Sequence, residues 1–466
     1  MKALPAVLPV FARIPLLLLA VAGPLRAQAT GSHAAHPAAD IHAAQTSAPA
    51  GPAAATSSAP EPLTLARVYE IARAQNPRLR AAGALVEARA AMAPSAGTLP
   101  DPTLQLGLMN LSLPSLRADM PTSMAPSIQL MQMVPIAGKL SLGGRIAALH
   151  TAQATSAAGE AWWEVRAAAA MAYGEVVAAD RQLEVMRETR RWLADYEQVA
   201  KALYASGEGR QSDVLRAGVE AARMEAELVR MAAMRAGAAA TLNAVLDRPT
   251  DTPVVPARTE PVLHQVADVA LLRDWARQSR PMLEERRLGV AQAQTRGTLA
   301  RRELWPDPVI GIEYGQNRAG MSGTERMASV MVGFSLPVFA GRRQLRMRDE
   351  AAAMERMARA ELNVMEAQVD ARITTLHAEL ERTRTLVTLY RREVLPQARA
   401  TVESAFASYR VGRVDFMTLL DAQMSWNEYE QELAVLLGEW TASLAELEMT
   451  IGRELPGAAL ASVEGR

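Results

Sequence analysis

Cysteine is absent from all 466 residues, which excludes disulfides, thiolate metal ligands and a cysteine nucleophile together. It also leaves no cysteine to carry a lipid, so membrane anchorage would have to come from the fold. Neither charge is in excess, with 50 Lys+Arg against 50 Asp+Glu. A phosphate-binding surface shows as a basic excess, so nucleic acid is not an expected partner. Beyond the amino-terminal segment no uninterrupted apolar stretch approaches the ~20 residues of a transmembrane helix. Such a chain can enter a bilayer only as a β-barrel. Enzyme signatures are missing too. Gly138-Lys139 has Leu140 where a phosphate loop needs Ser or Thr, and Met133 where it needs its first glycine. There is no His-Glu-x-x-His, nucleophile elbow or dinucleotide fingerprint, so neither catalysis nor a cofactor is expected.

What is present begins with an export signal. Lys2 and Arg13 precede the apolar run Ile14-Pro15-Leu16-Leu17-Leu18-Leu19-Ala20-Val21-Ala22, and Ala27-Gln28-Ala29 supplies small residues at the signal-peptidase spacing. The run is too short for a membrane anchor and is bracketed by Pro15 and Pro24. Residues 1–29 are expected to be a signal peptide. Residues 30–60, rich in Ala, Pro, Ser and Thr without periodicity, read as a flexible tether.

The remainder repeats itself at a spacing of about 205 residues. Leu65-Ala66-Arg67 through Asn76-Pro77-Arg78-Leu79 is echoed by Val269-Ala270-Leu271 through Arg280-Pro281-Met282-Leu283. Pro100-Asp101-Pro102 returns as Pro306-Asp307-Pro308, and Pro135-Ile136-Ala137-Gly138-Lys139 as Pro337-Val338-Phe339-Ala340-Gly341-Arg342. Tyr204, Gly207, Leu215 and Ala217 return as Tyr409, Gly412, Leu420 and Ala422. Four matches in one order predict two structural repeats, residues 61–258 and 259–455, with a tail at 456–466.

Each repeat runs through the same textures. A helical stretch, about Leu63–Ala93 and Asp268–Arg302, is stopped by Pro-Asp-Pro, because proline removes an amide donor and disfavours helix in the residue before it. Two β-like segments follow. Ile310, Ile312 and Tyr314 alternate with Gly311, Glu313 and Gly315, and Val330, Val332, Phe334 and Leu336 with Met331, Gly333 and Ser335. Leu104, Leu106 and Leu108 alternate likewise, while Ser127–Val134 is less regular. A period of two suits transmembrane strands of ~9–11 residues. Long Ala-rich rods come next, about Leu140–Ser206 and Arg342–Val411, each near 100 Å at 1.5 Å per residue. Val369, Ile373, Leu376, Leu380, Val387 and Val394 form a coiled-coil-like seam. A glycine turn reverses the chain into Ser212–Leu246 and Phe416–Ile451, the latter with a buried stripe Leu433, Leu437, Trp440, Leu444, Leu447 and Ile451. Pro396 should bend the second rod. Two isolated strand pairs cannot close against lipid, so the geometry requires an oligomer.

The ordered set, closing on Tyr409-Arg410-Val411-Gly412-Arg413 and Leu419-Leu420-Asp421-Ala422-Gln423, resembles the outer-membrane efflux factors of the TolC family over residues 61–455. The resemblance implies a mainly α fold with a small β part. Long antiparallel coiled-coil helices would form a periplasmic α-barrel, and four strands per protomer would contribute to a trimeric 12-stranded barrel in the lipid of a Gram-negative outer membrane. It further implies a passive duct, a homotrimer that docks a periplasmic adapter and an inner-membrane pump of the RND type. The turns at Gly207, Glu208, Gly412 and Arg413 would be adapter-contacting tips. By motif position Asp213 falls on the family's acidic latch residue and Tyr409 on its aromatic one. The latch arginine falls at Val414, with Arg413 beside it as substitute. Asp421 matches a lumen-facing acidic ring, where three carboxylates would favour cations.

Two features lean toward heavy-metal cargo, as in the CusC and CzcC branch. His33, His36 and His42 crowd half of the six histidines into the tether, and Met109, Met120, Met124, Met131 and Met133 gather around the first hairpin. Imidazole suits copper and zinc, and thioether suits Cu(I) or Ag(I). The text from Leu130 to Leu140 also resembles metal-efflux members. The alternatives are a duct for drugs or other small organic molecules, and a periplasmic coiled-coil structural protein.

Overall fold

A computed structural model describes residues 62–109, 125–257, 261–318 and 323–455, all within one compact unit, Ser58–Arg466. The signal, the whole tether with His33, His36 and His42, Met120, Met124 and the tail 456–466 lie outside them.

The helical entry to each repeat is two helices rather than one. The first entry is α1 (Leu65–Gln75) and α2 (Pro77–Met92). Pro77 opens α2 and holds Asn76 in the extended region, φ −61° and ψ 123°. Proline fits the first helical position and its ring disfavours the α region for the residue before it, and with Asn76 extended the helix is broken here. The Asn76 side chain fills the break, accepting from Arg78 N and donating to Val245 O.

After the Pro-Asp-Pro element come β1 (Thr103–Met109) and β2 (Ala125–Met133), the latter a regular nine-residue strand despite its less regular text. The first rod is a single 67-residue helix, α3 (Lys139–Ala205), and α4 (Gln211–Val245) returns beside it. The second round gives α5 (Val269–Ser279) and α6 (Pro281–Arg302), broken at Arg280–Pro281 as before. It continues with β3 (Pro308–Arg318) and β4 (Thr324–Phe334), so Leu336 falls past the strand end. The second rod is in pieces: α7 (Gln344–Leu389), a π-helical turn at Tyr390–Val394, and α8 (Leu395–Arg410), followed by α9 (Phe416–Ile451). Pro396 cannot donate to the carbonyl one turn back, and the irregular turn sits directly before it.

The four strands form one antiparallel sheet in the order β1-β2-β3-β4, with β2 and β3 joining the two hairpins. Helix α3 is central, packing against α4, α6 and α9, while α7 packs against α6 and α9. Val369, Ile373, Leu376, Leu380 and Val387 are buried as expected, together with Leu433, Trp440, Leu447 and Ile451. Val394 falls in the π turn and is only half-buried. Among the described residues no helix is long and apolar enough to cross a membrane.

Candidate functional site

Two regions combine unusual chemistry with exposure: the sheet and the hairpin tips at the far end of the rods. In the sheet, one face collects Leu104, Leu130, Ile312 and Val330 in a single cross-strand row and Leu106, Ile128, Tyr314 and Ala328 in the next. All but Ala328 are large side chains, and the described residues leave them open, with Leu106 75% and Val330 74% exposed. The opposite face carries Gln105, Gln129, Glu313 and Ser329 in one row and Thr103, Met131, Gly311 and Met331 in the next. An apolar face backed by a polar one, with β1 and β4 as edges, is the arrangement of a barrel wall segment.

Where sheet meets rods, Asp307 of the second Pro-Asp-Pro grips the turn after β2. Its carboxylate accepts from Ile136 N at 3.0 Å and from the nearly buried Lys139 ammonium at 2.7 Å, and Lys139 also donates to Trp305 O at 2.8 Å. The turn needs that support, since Ala137 (φ 60°) and Gly138 (φ 75°) both take left-handed backbone.

At the tips Gly207 (φ 82°) and Gly412 (φ 68°) supply the left-handed residue that ends each rod. Gly207 N donates to Tyr204 O and Gly412 N to Tyr409 O. Gly209 is fixed for another reason, because a β-carbon there would lie 2.8 Å from Tyr204 N. Asp415 caps α9 by accepting from Thr418 N at 2.9 Å. The hydrogen bonds from Thr418 hold its carboxyl below the usual aspartate range.

Tyr409 is buried at 4% exposure with its ring edge-on to Phe416, centroids 5.6 Å apart. Its hydroxyl is buried without a hydrogen-bond partner among the described residues. Burial first, and the nearby Asp213 charge second, push its pKa up to about 12. Tyr409 and Asp213 are thus brought within electrostatic reach but not bonded.

A model of the outer membrane efflux protein family matches residues 68–248 and 272–453. The chain belongs to this family of outer-membrane efflux channels. No curated protein sequence matches it. Among solved structures, VceC from Vibrio cholerae aligns with a TM-score of 0.71 at 18% identity over 84% of this chain and 97% of its own. CusC aligns at 0.72 and 17% identity, over 84% and 92%. The open state of MtrE from Neisseria gonorrhoeae aligns at 0.67 and 18%, over 84% and 89%. At such identities the likeness concerns the fold, a TolC-type channel protomer.

Within this efflux protein the expected site residues divide. Gly207, Glu208, Gly412 and Arg413 are all exposed on the turns. Arg413 N donates to Ser408 O, and among the described residues no ion pair joins its side chain to Asp213. Asp421 is exposed on α9, and Val414 is half-buried in the tip cluster. No three or more His, Asp or Glu among the described residues are grouped to hold a metal.

Sequence reasoning missed several polar contacts. Thr189 donates to Asn427 and Tyr196 to Gln423, both buried between α3 and α9. Arg166 is buried against Glu448 at 2.8 Å with its guanidinium 4.2 Å over the Tyr69 ring. Burial raises the Glu448 carboxyl pKa while Arg166 opposes the rise. A polar residue interrupting an apolar helical stripe was the available signal for these.

Proposed function

We propose that three copies of this efflux protein close a twelve-stranded barrel in the outer membrane of a Gram-negative bacterium and continue into the periplasm as a passive, helical duct for heavy-metal cations. The observation that carries the duct reading is the sheet: uncovered aliphatic side chains on one face, polar ones on the other, and two edge strands whose amides and carbonyls would be forbidden in lipid unless paired. Pairing β4 of one copy with β1 of the next removes every edge. Helix α4 supports the same reading. Leu215, Val219, Ala222, Ala226, Val229, Ala233 and Ala236 recur at steps of four and three and are all exposed, a coiled-coil seam that a second copy would cover.

In this reading residues 1–29 direct export, 30–60 are a tether, and 61–258 and 259–455 are the two repeats of the wall. The tips Gly207, Glu208, Gly412 and Arg413 meet a periplasmic adapter, which joins the duct to an RND-type inner-membrane pump. Asp213, Tyr409, Arg413 and Asp421 form the periplasmic gate, whose latch is completed when the Tyr409 hydroxyl gains a partner. His33, His36 and His42 offer imidazole to metal, and the wall does no catalysis of its own.

Two measurements test the two levels separately. The purified native protein should run as a detergent-resistant oligomer with β signal in circular dichroism; a monomer would sink the duct. A deletion strain should become sensitive to one or two of Cu, Ag, Zn, Co and Cd. Sensitivity confined to dyes and detergents would move the cargo to organic molecules and leave the duct intact.

A further inference from the structure

Methionine is not spread evenly over the sheet. The apolar face is built from Leu104, Leu106, Ile128, Leu130, Ile310, Ile312, Val330, Val332 and Phe334. Met131, Met133, Met327 and Met331 all fall on the other face, among Gln, Ser, Gly and Glu. Methionine used only as apolar filler would sit with the aliphatic residues, where it packs equally well. Its segregation to the polar face calls for a chemical reason.

The register provides one. Met131 on β2 and Met331 on β4 flank Gly311 on β3 in a single row. Both side chains lean over the glycine: a β-carbon at Gly311 would lie 3.4 Å from Met131 Cγ and 3.7 Å from Met331 Cε. Gln129 directs its amide Nε2 at Met331 Sδ at 4.0 Å. Glu313, two residues from Gly311 on the same face, adds a carboxylate. Two uncharged soft donors over a bare backbone, with one anionic group close by, suit a soft monovalent cation and suit a hard or strongly hydrated one poorly. Thioethers bind without a proton to displace and release readily, as a conduction pathway requires.

We infer that Met131 and Met331, converging over Gly311, form a transient contact site for Cu(I) or Ag(I) on the polar face of the sheet. The inference rests on the heavy-metal reading above and narrows it to soft monovalent ions.

The test is an Ag(I) titration, in chloride-free buffer, of the full chain purified in detergent as its native oligomer. Met131→Leu with Met331→Leu conserves volume and should weaken the apparent affinity roughly tenfold or more. Met354→Leu with Met357→Leu, both exposed on α7, should leave it unchanged. Equal affinity in both double variants and the unaltered protein would overturn the site, as would equal loss in both. If the leucine pair fails to assemble, Met131→Gln with Met331→Gln removes the sulfurs while keeping unbranched side chains on a polar face. Its retention of full affinity would overturn the site equally. Copper and silver tolerance of a deletion strain carrying each variant separates the two levels. Weakened Ag(I) binding by the purified Met131→Leu, Met331→Leu variant, together with a deletion strain that shows no metal sensitivity, would retain the site and sink the cargo reading.

Discussion

The two repeats share a backbone plan but not a pattern of burial, and the hairpin tips show it most clearly. Tyr204 is 50% exposed, whereas its counterpart Tyr409 is buried against Phe416. Leu215 is 63% exposed and Leu420 only 5%. Helix α9 lies between α3, α7 and α8, so its apolar residues find partners inside the protomer; α4 packs chiefly on α3. The rods differ as well. From Gly341 to Tyr409 the chain is two residues longer than from Gly138 to Tyr204. The π turn at Tyr390–Val394 takes up one residue more than an α turn would, while α3 runs unbroken. The first rod is thus one continuous helix and the second is interrupted by a π turn, while of the two return helices α4 leaves an apolar row exposed and α9 buries its own.

The largest expected contrast lies at the paired Pro-Asp-Pro elements. Asp307 holds the nearly buried Lys139, whereas Asp101 is exposed and makes no ion pair among the described residues. Asp307→Ala would leave a nearly buried ammonium with the Trp305 carbonyl and, as its one remaining counter-charge among the described residues, the more exposed Glu303 3.7 Å away. We expect a loss of about 3–5 kcal/mol, the range for breaking one side of a buried pair. Asp101→Ala should stay within about 0.5 kcal/mol. Denaturant unfolding of the two variants side by side checks the difference, and equal effects would mean that the repeats share the load at this junction.

Next in size is the leucine pair. Leu420→Ala empties a buried site in the tip cluster and should cost roughly 2–3 kcal/mol. Leu215→Ala should barely alter the protomer, within about 0.5 kcal/mol, yet it should weaken oligomer association measured by sedimentation if copies cover α4. Loss of neither stability nor association would remove α4 from the proposed interface.

Much of this was legible in the sequence because it is written at long range and regular period. The rods, the stripes of α7 and α9 and the order of elements follow from apolar spacing sustained over many turns, and Phe416–Ile451 falls where expected. The helix breaks at Pro77 and Pro281 follow from the same proline rule as the stop at Pro-Asp-Pro, although the repeat they mark reads as one helical stretch by its spacing alone. Other features were hidden for a physical reason. Tyr204 and Tyr409 stand in matching text, and only tertiary neighbours decide which is buried. Met327 and Met331 share a face with Met131 and Met133 only because β3, paired with β4, also pairs with β2 across a long stretch of chain, Met131 opposite Gly311.

Tyr409 also separates the tips by pH. Its pKa is raised in the folded state from 10.0 to about 12, so the fold favours the protonated phenol. That contribution is fully present below pH 10 and is lost as pH rises through about 12. Tyr409→Phe removes both the orphaned hydroxyl and the alkaline loss. The variant should be at least as stable as the parent at neutral pH and flatter between pH 10 and 12 in thermal unfolding, since an unpaired buried hydroxyl carries a desolvation cost. A stability drop at neutral pH would mean that the hydroxyl has a partner in the native oligomer, as a closed latch requires.

The smallest effect concerns the caps. Asp415 caps α9 with its carboxylate, while Arg210 at the head of α4 offers no side-chain cap. Asp415→Ala should lower the melting temperature slightly, and Arg210→Ala should not. The sign with pH follows from the depressed carboxyl pKa of Asp415. A group whose pKa falls on folding contributes above its unfolded value, here 3.8, and loses that contribution as pH drops through the lower folded value. The gap between parent and Asp415→Ala should therefore be constant through neutral pH and close only in strong acid. Because Thr418 Oγ1 also donates to this carboxylate at 2.6 Å, Thr418→Ala should narrow the same gap from the other side. If the two substitutions instead add fully, the cap and the threonine stabilise the second tip independently, and the bond between them carries no coupling.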